Sequence, residues 1–252
     1  MTGTLADGRQ VDRIQNYSAF WQEAEKDGKV DTSNRLDNYQ NVVNGYYDGA
    51  TGLYEWGWGS CFHFCRFYKG EGFYQAVSRW FLLGVVLTDA QLARHEHYLA
   101  TNMGLKRGMR VLDVGCGIGG PAREMAQFLD IYIVGLNNND YQIGRARSLT
   151  ARAGLSDRVT FVKGDFMKLS EQFGEGCFDA GAQSSYPMYS LLQTNAVYAI
   201  EATVHAPSFQ GVYSEIFKVL KPGGVVCSSL FPSFASPSFW LLVRCLRMGH
   251  DR

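Results

Sequence analysis

VLDVGCGIGGPAREMAQF, at Val111–Phe128, holds a strand, a glycine-rich turn and a helix in immediate succession. In parallel α/β sheets, the first turn of this kind brings the backbone close to a ligand, because glycine has no Cβ atom in the way. Gly115, Gly117 and Gly119 follow a G-x-G-x-G pattern, which differs from the G-x-G-x-x-G of dinucleotide-binding folds. The segment therefore predicts a ligand-binding turn and leaves the ligand open.

Apolar strands and amphipathic helices continue to alternate after this segment. Further strands are predicted at IYIVGL, at RVTFVKGD, within Phe178–Ala202 and after KPGG, with helices between them. This alternation predicts an α/β fold in which right-handed crossovers join a parallel sheet. Before the sheet, the sequence predicts polar helices up to about Asn44, a loop-rich aromatic segment at Tyr46–Gly70 and a helix at Ala93–Gly108.

The composition limits the classes of partner. The 252 residues carry 24 basic and 24 acidic side chains, so the formal charge is zero and no nucleic-acid partner is predicted. Aromatic residues make up 14% of the chain, a fraction that fits either a large apolar ligand or a rich core.

The six cysteines show neither a metal-binding spacing nor a disulfide pattern, and we interpret all six as reduced intracellular thiols. The polar N-terminal residues do not predict a signal peptide. Trp80–Leu87 is too short to span a bilayer, which needs ~20 apolar residues. Val225–Leu246 is long enough, but Pro232 and Pro237 disfavour a membrane span there.

Polar residues follow the predicted strands at their carboxyl ends, where parallel sheets bind ligands. Asp113 lies within the strand before the glycine turn. Asn137 and Asn138 end the second strand, where a ribose-binding group is expected; an amide there can donate to or accept from hydroxyls. Asp165 follows the third strand and is predicted to accept a hydrogen bond from an adenine amino group.

The ordered motifs LDVGCGIGGPAR, GLNNND, VKGDFM and LKPGG resemble those of class I methyltransferases, which bind S-adenosylmethionine. With YEWGWGSCFHFCRFYKGE, ARHEHYLA and YAIEATVHAP, they resemble sterol 24-C-methyltransferases over most of Tyr39–Gly224. The resemblance implies a Rossmann-like class I methyltransferase sheet, truncated at its C-terminus and preceded by a helical, aromatic-rich substrate segment. The implied cofactor contacts are Asp113, Gly115, Gly117, Gly119, Asn137, Asn138, Asp165 and Phe166.

The resemblance implies transfer of a methyl group from S-adenosylmethionine to carbon 24 of a sterol with a side-chain double bond, as in ergosterol-type synthesis. Such an alkene is a weak nucleophile, and the transfer leaves positive charge on carbon. The site therefore needs a dry pocket, aromatic faces and a base, and it needs no metal. The family assigns the YEWGWG stretch to sterol binding, so Tyr54, Trp56, Trp58 and Phe62 are predicted substrate contacts, with a core aromatic cluster as the alternative.

Four residues are candidates for the base that removes a proton after methyl transfer. Glu201 and His205 follow the fourth predicted strand, at the carboxyl edge of the sheet. Glu55 lies in the aromatic stretch, and His97 lies in the ARHEHYLA helix. Glu201 is also placed to bind cofactor hydroxyls or to hold His205, so the sequence leaves the base open.

The chain departs from the family pattern in three places: Val77–Gln91 and Gly181–Ala196 are additional, and the resemblance ends after Gly224. The borders of these segments can be encoded by codons that contain splice sites. We interpret the segments as translated introns, with genuine insertions as the alternative. The predicted divisions are 1–108, a helical and sterol-binding segment; 109–231, an incomplete cofactor-binding domain; and 232–252, an aberrant tail.

We expect this chain to be a poor enzyme for three reasons. The fifth strand would lack a neighbour, the insertion at 181–196 would endanger the register of the fourth strand, and less of the chain would enclose the sterol. Two other functions stay open: a non-catalytic product of a mis-spliced gene, and a methyltransferase for another lipid or small molecule. The resemblance also implies peripheral membrane association at the endoplasmic reticulum or lipid droplets.

Overall fold

The computed structural model describes residues 8–26, 32–65, 88–174, 194–230 and 242–247. Within them, the helices are α1 (Gly8–Lys26), α2 (Thr32–Trp58), α3 (Thr88–Asn102), α4 (Gly120–Leu129), α5 (Asp140–Arg152), α6 (Leu169–Phe173) and α7 (Phe209–Val219). The strands are β1 (Arg110–Val114), β2 (Tyr132–Asn137), β3 (Val159–Lys163), β4 (Thr194–Ile200), β5 (Leu220–Leu230) and β6 (Leu242–Arg247).

The six strands form one sheet in the order β3-β2-β1-β4-β5-β6. The first five strands are parallel to their neighbours, and β6 is antiparallel to β5. The chain runs outward from β1 through β2 to β3 and then returns to β4 on the other side of β1. Ligands bind at such a reversal, beyond the carboxyl ends of the strands. The predicted α/β, Rossmann-like fold is therefore confirmed.

Each strand divides its side chains between two cores, because successive residues point to opposite faces of the sheet. On β1, Val111 packs into one core with Met125 of α4 and Ile143 of α5. The next residue, Leu112, packs into the other core with Ile216 of α7. Both faces of the sheet are thus covered, as a parallel sheet requires.

The aromatic segment is helical where the sequence predicted a loop, so that prediction is wrong for Tyr46–Trp58. Helix α2 continues to Trp58, and it ends where Gly59, at φ 83°, donates its N–H to the Glu55 carbonyl at 3.0 Å. A left-handed residue at this place favours glycine. The remainder of the segment after Cys65 lies outside the described residues. None of the described helices combines the length and apolar composition of a membrane span.

The fourth strand is continuous despite the predicted insertion. Thr194–Ala196, the last residues of that insertion, begin β4, and Ala196 and Val197 pair with Val111 and Leu112 of β1. The rest of the insertion, 181–193, lies outside the described residues, as does 77–87. The last residues of the first insertion, 88–91, begin α3.

The fifth strand has a neighbour on each side, so the expectation that it would be an edge is wrong. Residues 242–247 of the predicted tail form β6, and Val225 of β5 pairs with Arg247. Cys227 and Cys245, which face each other across this pair of strands, form a disulfide. The interpretation of all six cysteines as reduced thiols is therefore wrong for these two.

Candidate active site

A cavity opens at the carboxyl ends of β1, β2 and β4, where the order of the strands reverses. Gly115 and Gly117 form its floor, and both have left-handed backbones, with φ 79° and 54°. A Cβ atom on Gly115 would lie 2.2 Å from the Cβ atom of Ala202, so protein packing excludes it. A Cβ atom on Gly117 would meet only Phe62, at an ordinary 3.7 Å. The space above Gly117 is thus left open for a ligand.

Asp113 lies below the glycine turn, 2% exposed, at the edge of a second cavity that also contacts Gly115 and Gly117. Its Oδ2 has no hydrogen-bond partner among the described residues. Burial raises the pKa of this carboxyl to about 7, and the neighbouring Tyr198 hydroxyl opposes the rise. A buried, unpartnered acceptor next to an open turn suits a positively charged ligand group.

The three asparagines that end β2 and follow it make different contacts. Asn137 and Asn138 line the cavity, and the Asn137 side chain donates to Gln142 at 2.6 Å. Asn139 caps α5 by accepting from the Gln142 N–H at 2.8 Å, and it donates to Asp48 of α2 at 2.8 Å. The first two asparagines therefore face the ligand space, and the third connects α2 to the sheet.

Asp165 faces helix α2 rather than open space. Its carboxylate accepts hydrogen bonds from the Tyr39 hydroxyl and the Gln40 amide, and it caps the following turn at the Met167 N–H, 2.8 Å away. Its neighbour Phe166 lines the cavity beside Tyr39, with ring centroids 6.0 Å apart. The wall at this end of the cavity is thus formed by two aromatic rings.

Glu201 lines the same cavity as the glycine turn and has the left-handed backbone angle φ 53°, which is uncommon for a residue with a side chain. Its N–H donates to the Ser229 carbonyl at 2.8 Å, and its Oε1 accepts from the Phe64 N–H at 2.9 Å. Burial raises the pKa of its carboxyl, while His63 and the Phe64 N–H oppose the rise. Strained backbones of this kind cluster at functional sites.

His205 lines the same cavity, between two tyrosines. The Tyr17 hydroxyl lies 2.8 Å from its Nδ1, and the Tyr47 hydroxyl lies 3.0 Å from its Nε2. Burial lowers the pKa of His205 to about 4. The ring is therefore neutral at physiological pH, with one nitrogen donating and the other accepting.

The predicted substrate residues occupy different places. Phe62 lines the cavity, and Tyr54 packs behind it, with ring centroids 5.3 Å apart. Trp56 is 64% exposed on the outer face of α2. Trp58 is the last residue of α2, and its side chain is outside the described part of the structure.

Three other predicted site residues lie away from this cavity. Glu55 forms an ion pair with Arg145 of α5, with an oxygen–nitrogen distance of 2.5 Å. The Nε2–H of His97 donates to the Glu124 carboxylate at 2.9 Å, and the ring stacks on Phe128. Gly119 packs against Phe161 at the start of α4.

The cavity also contains residues that the sequence did not single out. Tyr39, Val43 and Tyr47 line it from α2. Their spacing of four places them on one face of a helix. Tyr39 and Val43 lie in the stretch predicted as helical, and continuing that helix through Tyr47 would have placed all three together.

A model of the methyltransferase domain matches residues 105–235, just over half of the chain. The chain belongs to the methyltransferase domain family. It is 50% identical to a sterol 24-C-methyltransferase of Schizosaccharomyces pombe over 86% of the chain, and 48% identical to that of Saccharomyces cerevisiae over 85%. The chain spans about half the length of these relatives, 49% and 47%.

Two solved structures superpose on this chain and share its fold. A [4+2]-cyclase, SpnF, superposes with a TM-score of 0.57 at 25% identity, covering 79% of this chain and 63% of that one. A sarcosine dimethylglycine methyltransferase from Galdieria sulphuraria, described as putative, superposes at 0.53 with 23% identity, covering 73% and 59%. Since one neighbour is named a cyclase, the fold alone does not define the reaction.

Methyltransferases of this fold use S-adenosylmethionine, and the residues of this domain fit that cofactor. The open face of Gly117 leaves room for the cofactor to pass, and the unpartnered Asp113 Oδ2 suits its positive charge. Asn137 and Asn138 line the same cavity, and amide groups there would bind the ribose hydroxyls of the cofactor.

Proposed function

We propose that this domain transfers a methyl group from S-adenosylmethionine to carbon 24 of a sterol side chain. The observation that carries the proposal is the shared cavity: the glycine turn and Glu201 face one space that aromatic rings enclose. The identity of about half of the residues to sterol 24-C-methyltransferases supports the same reaction class.

The acceptor side of the cavity suits a weak nucleophile that becomes cationic. A cation over an aromatic face gains ~0.5–2 kcal/mol, and Tyr47 and Phe62 supply such faces beside Glu201. Glu201 is the group that takes up the proton afterwards, because burial moves the pKa of its carboxyl toward the range that suits a base. His205 holds Tyr17 and Tyr47 in place, since hydroxyls occupy both of its nitrogens.

The structure changes two of the reasons for expecting a poor enzyme. Strand β6 pairs with β5, and β4 pairs with β1 at Ala196–Tyr198 and leads to Glu201 at the cavity. The pairing of β4 with β5 is irregular only between Thr194 and Ala196. We therefore propose that the cofactor site of this chain is competent to bind S-adenosylmethionine.

We also propose that the protein takes its sterol from a membrane or lipid-droplet surface of the endoplasmic reticulum system. Helices α1 and α2 support this proposal with exposed apolar side chains: Val11, Ile14, Leu53 and Trp56. Apolar and aromatic side chains of this kind insert into the lipid interface. Co-sedimentation with phosphatidylcholine vesicles tests it. We expect binding that the double variant Leu53→Ser, Trp56→Ser weakens, and absence of binding contradicts the proposal.

The methyl-transfer proposal is tested with labelled S-adenosylmethionine. Calorimetry first measures cofactor binding to the chain. The chain is then given a sterol with a side-chain double bond at carbon 24, the matched saturated sterol, and dimethylglycine as a small polar acceptor. The sterol 24-C-methyltransferase of Schizosaccharomyces pombe serves as the positive control. We expect label in the unsaturated sterol only.

The other outcomes separate the alternative functions. Cofactor binding with label only in another acceptor identifies a methyltransferase of different substrate class. Absence of both binding and transfer indicates a non-catalytic chain.

A further inference from the structure

Outside the cavity described above, Cys61, His63 and Glu96 bring three potential metal ligands together. The ligand atoms of these residues all lie within 4.8 Å of one another. Cys61 and His63 follow the end of α2, and Glu96 comes from the middle of α3. His63 and Glu96 are 3% and 1% exposed, and Cys61 is half-buried, so the cluster has two interior ligands and one nearer the surface.

The orientation of His63 is fixed by its neighbour. Its Nδ1 lies 2.8 Å from the Phe64 carbonyl oxygen. A carbonyl oxygen can only accept, so Nδ1 carries a hydrogen and Nε2 faces the cluster. A backbone carbonyl on the other ring nitrogen is the usual support of a metal-binding histidine.

The two oxygens of the Glu96 carboxylate have different surroundings. Its Oε1 lies 2.9 Å from His63 Nε2, whereas no hydrogen bond of normal geometry reaches the buried Oε2 from the described residues. The Cys61 thiol is a close neighbour of the carboxylate, and burial together with this carboxylate raises the pKa of the thiol. A buried carboxylate oxygen without a partner is costly, and a cation removes that cost. The competing arrangement is an ion pair between His63 and Glu96 with no metal.

We propose that Cys61, His63 and Glu96 bind one Zn²⁺ ion. Sulfur, imidazole nitrogen and carboxylate oxygen are all zinc ligands, and three of them leave a fourth position for water. A cavity lined by Ser60, Cys61 and Glu96 provides space for that water. The thiolate and the carboxylate balance the two charges of the ion. Binding releases two protons, one from the Cys61 thiol and one shared by His63 and Glu96.

Arg123 also lines that cavity and, among the described residues, is the cation that faces the cluster. Its guanidinium donates to the Ile118 carbonyl, in the turn before α4, at 2.7 Å. The paired negative charges of Cys61 and Glu96 offset the repulsion that it exerts on Zn²⁺.

The zinc site has a structural role and contributes no reacting group to the proposed methyl transfer. The segment between Cys61 and Cys65 places Phe62 in the ligand cavity and the Phe64 N–H on Glu201. Zinc would fasten this segment to α3 and so support the positions of Phe62 and Glu201.

The test uses the tag-free chain, purified with Zn²⁺ present and dialysed against metal-free buffer. We expect about one zinc per chain by elemental analysis. Replacement by Co²⁺ should give a thiolate-to-cobalt charge-transfer band and visible bands of tetrahedral intensity. Cys61→Ser should remove the charge-transfer band and lower zinc affinity by more than the ~10–100-fold that loss of a supporting hydrogen bond costs. Glu96→Gln should lower the affinity too.

Cys65→Ser is the matched control, because Cys65 lies on the same segment outside the cluster, and it should keep the cobalt band. The proposal is overturned if dialysis removes the zinc, if the cobalt complex lacks the thiolate band, or if Cys61→Ser retains it. The wild-type cobalt spectrum decides the matter if Cys61→Ser fails to fold. Cofactor binding is measured separately by calorimetry, so failure of this proposal and failure of methyl transfer give different results.

Discussion

The hydroxyl of Tyr47 lies 3.0 Å from Nε2 of His205, across the cavity. Tyr47 belongs to helix α2, and His205 follows β4 at the edge of the sheet. The contact joins the N-terminal helices to the methyltransferase sheet. Burial at this junction lowers the pKa of His205, so the ring is neutral where the sequence alone allowed a base.

The neutrality of His205 predicts a pH dependence of stability. Its pKa is about 4 in the folded chain and ~6.5 when unfolded. Below pH 6.5 the unfolded state therefore binds more protons than the folded state. The contribution of His205 to the free energy of unfolding is complete above pH 6.5 and is lost as the pH falls toward 4. The loss amounts to at most ~3 kcal/mol. We expect the free energy of unfolding, measured with urea, to fall less between pH 7 and pH 4.5 for His205→Gln than for wild type. The partly exposed His97→Gln is the control, and equal pH slopes for all three chains would refute the prediction.

Two glycines of the turn should respond differently to the same substitution. Gly117→Ala adds a Cβ atom on the open side of the cavity, so we expect a stability loss of only ~1–2 kcal/mol from backbone strain. Its affinity for S-adenosylmethionine should fall at least about tenfold, since ~1.4 kcal/mol of lost contact suffices. Gly115→Ala carries the same strain and adds a clash with Ala202, so its melting temperature should fall much further. Unchanged calorimetric affinity of Gly117→Ala would exclude this cofactor site.

Glu201→Gln separates proton uptake from binding. The amide oxygen can still accept from the Phe64 N–H, so the fold should be kept. Label transfer to sterol should fall by ~10²–10⁴-fold, the usual contribution of a general base. Cofactor affinity should stay within about threefold.

Glu55→Gln is the control for this variant, because Glu55 pairs with the partly exposed Arg145 away from the cavity. Turnover of this control should stay near that of wild type, with a stability loss of ~0–1 kcal/mol. If Glu55→Gln loses as much turnover as Glu201→Gln, the base assignment is wrong.

The insertion 181–196 should be removable without loss of the fold. Its deletion places Phe178, Asp179 and Ala180 before Val197, in the positions that Thr194–Ala196 hold in β4. Asp179 then replaces Asn195, whose side-chain oxygen accepts from the Arg110 N–H at 3.0 Å, and a carboxylate accepts equally well. We expect a melting temperature no lower than that of wild type by more than ~4 °C, measured by circular dichroism. An unfolded deletion chain would show that the insertion supports the strand.

The sequence by itself determined the sheet, the glycine turn and the polar residues at the ends of the strands. These features depend on local periodicity and on residue types at fixed spacing, so the sequence alone places Gly117, Asn137, Asn138 and Glu201 at one edge of the sheet. The same local reasoning misread the aromatic stretch as a loop, because the density of glycine and tryptophan concealed the continuation of a helical face from Tyr39 to Tyr47.

Only the tertiary structure decided which side chains share the cavity and in which protonation state. Burial between Tyr17 and Tyr47 makes His205 neutral, and a hydrogen bond from Tyr39 of α2 engages the Asp165 carboxylate. The pairing of β5 with β6 and the meeting of Cys61 with Glu96 likewise join residues far apart in the chain. Desolvation and long-range contacts set these properties, and neither is encoded in a short stretch of sequence.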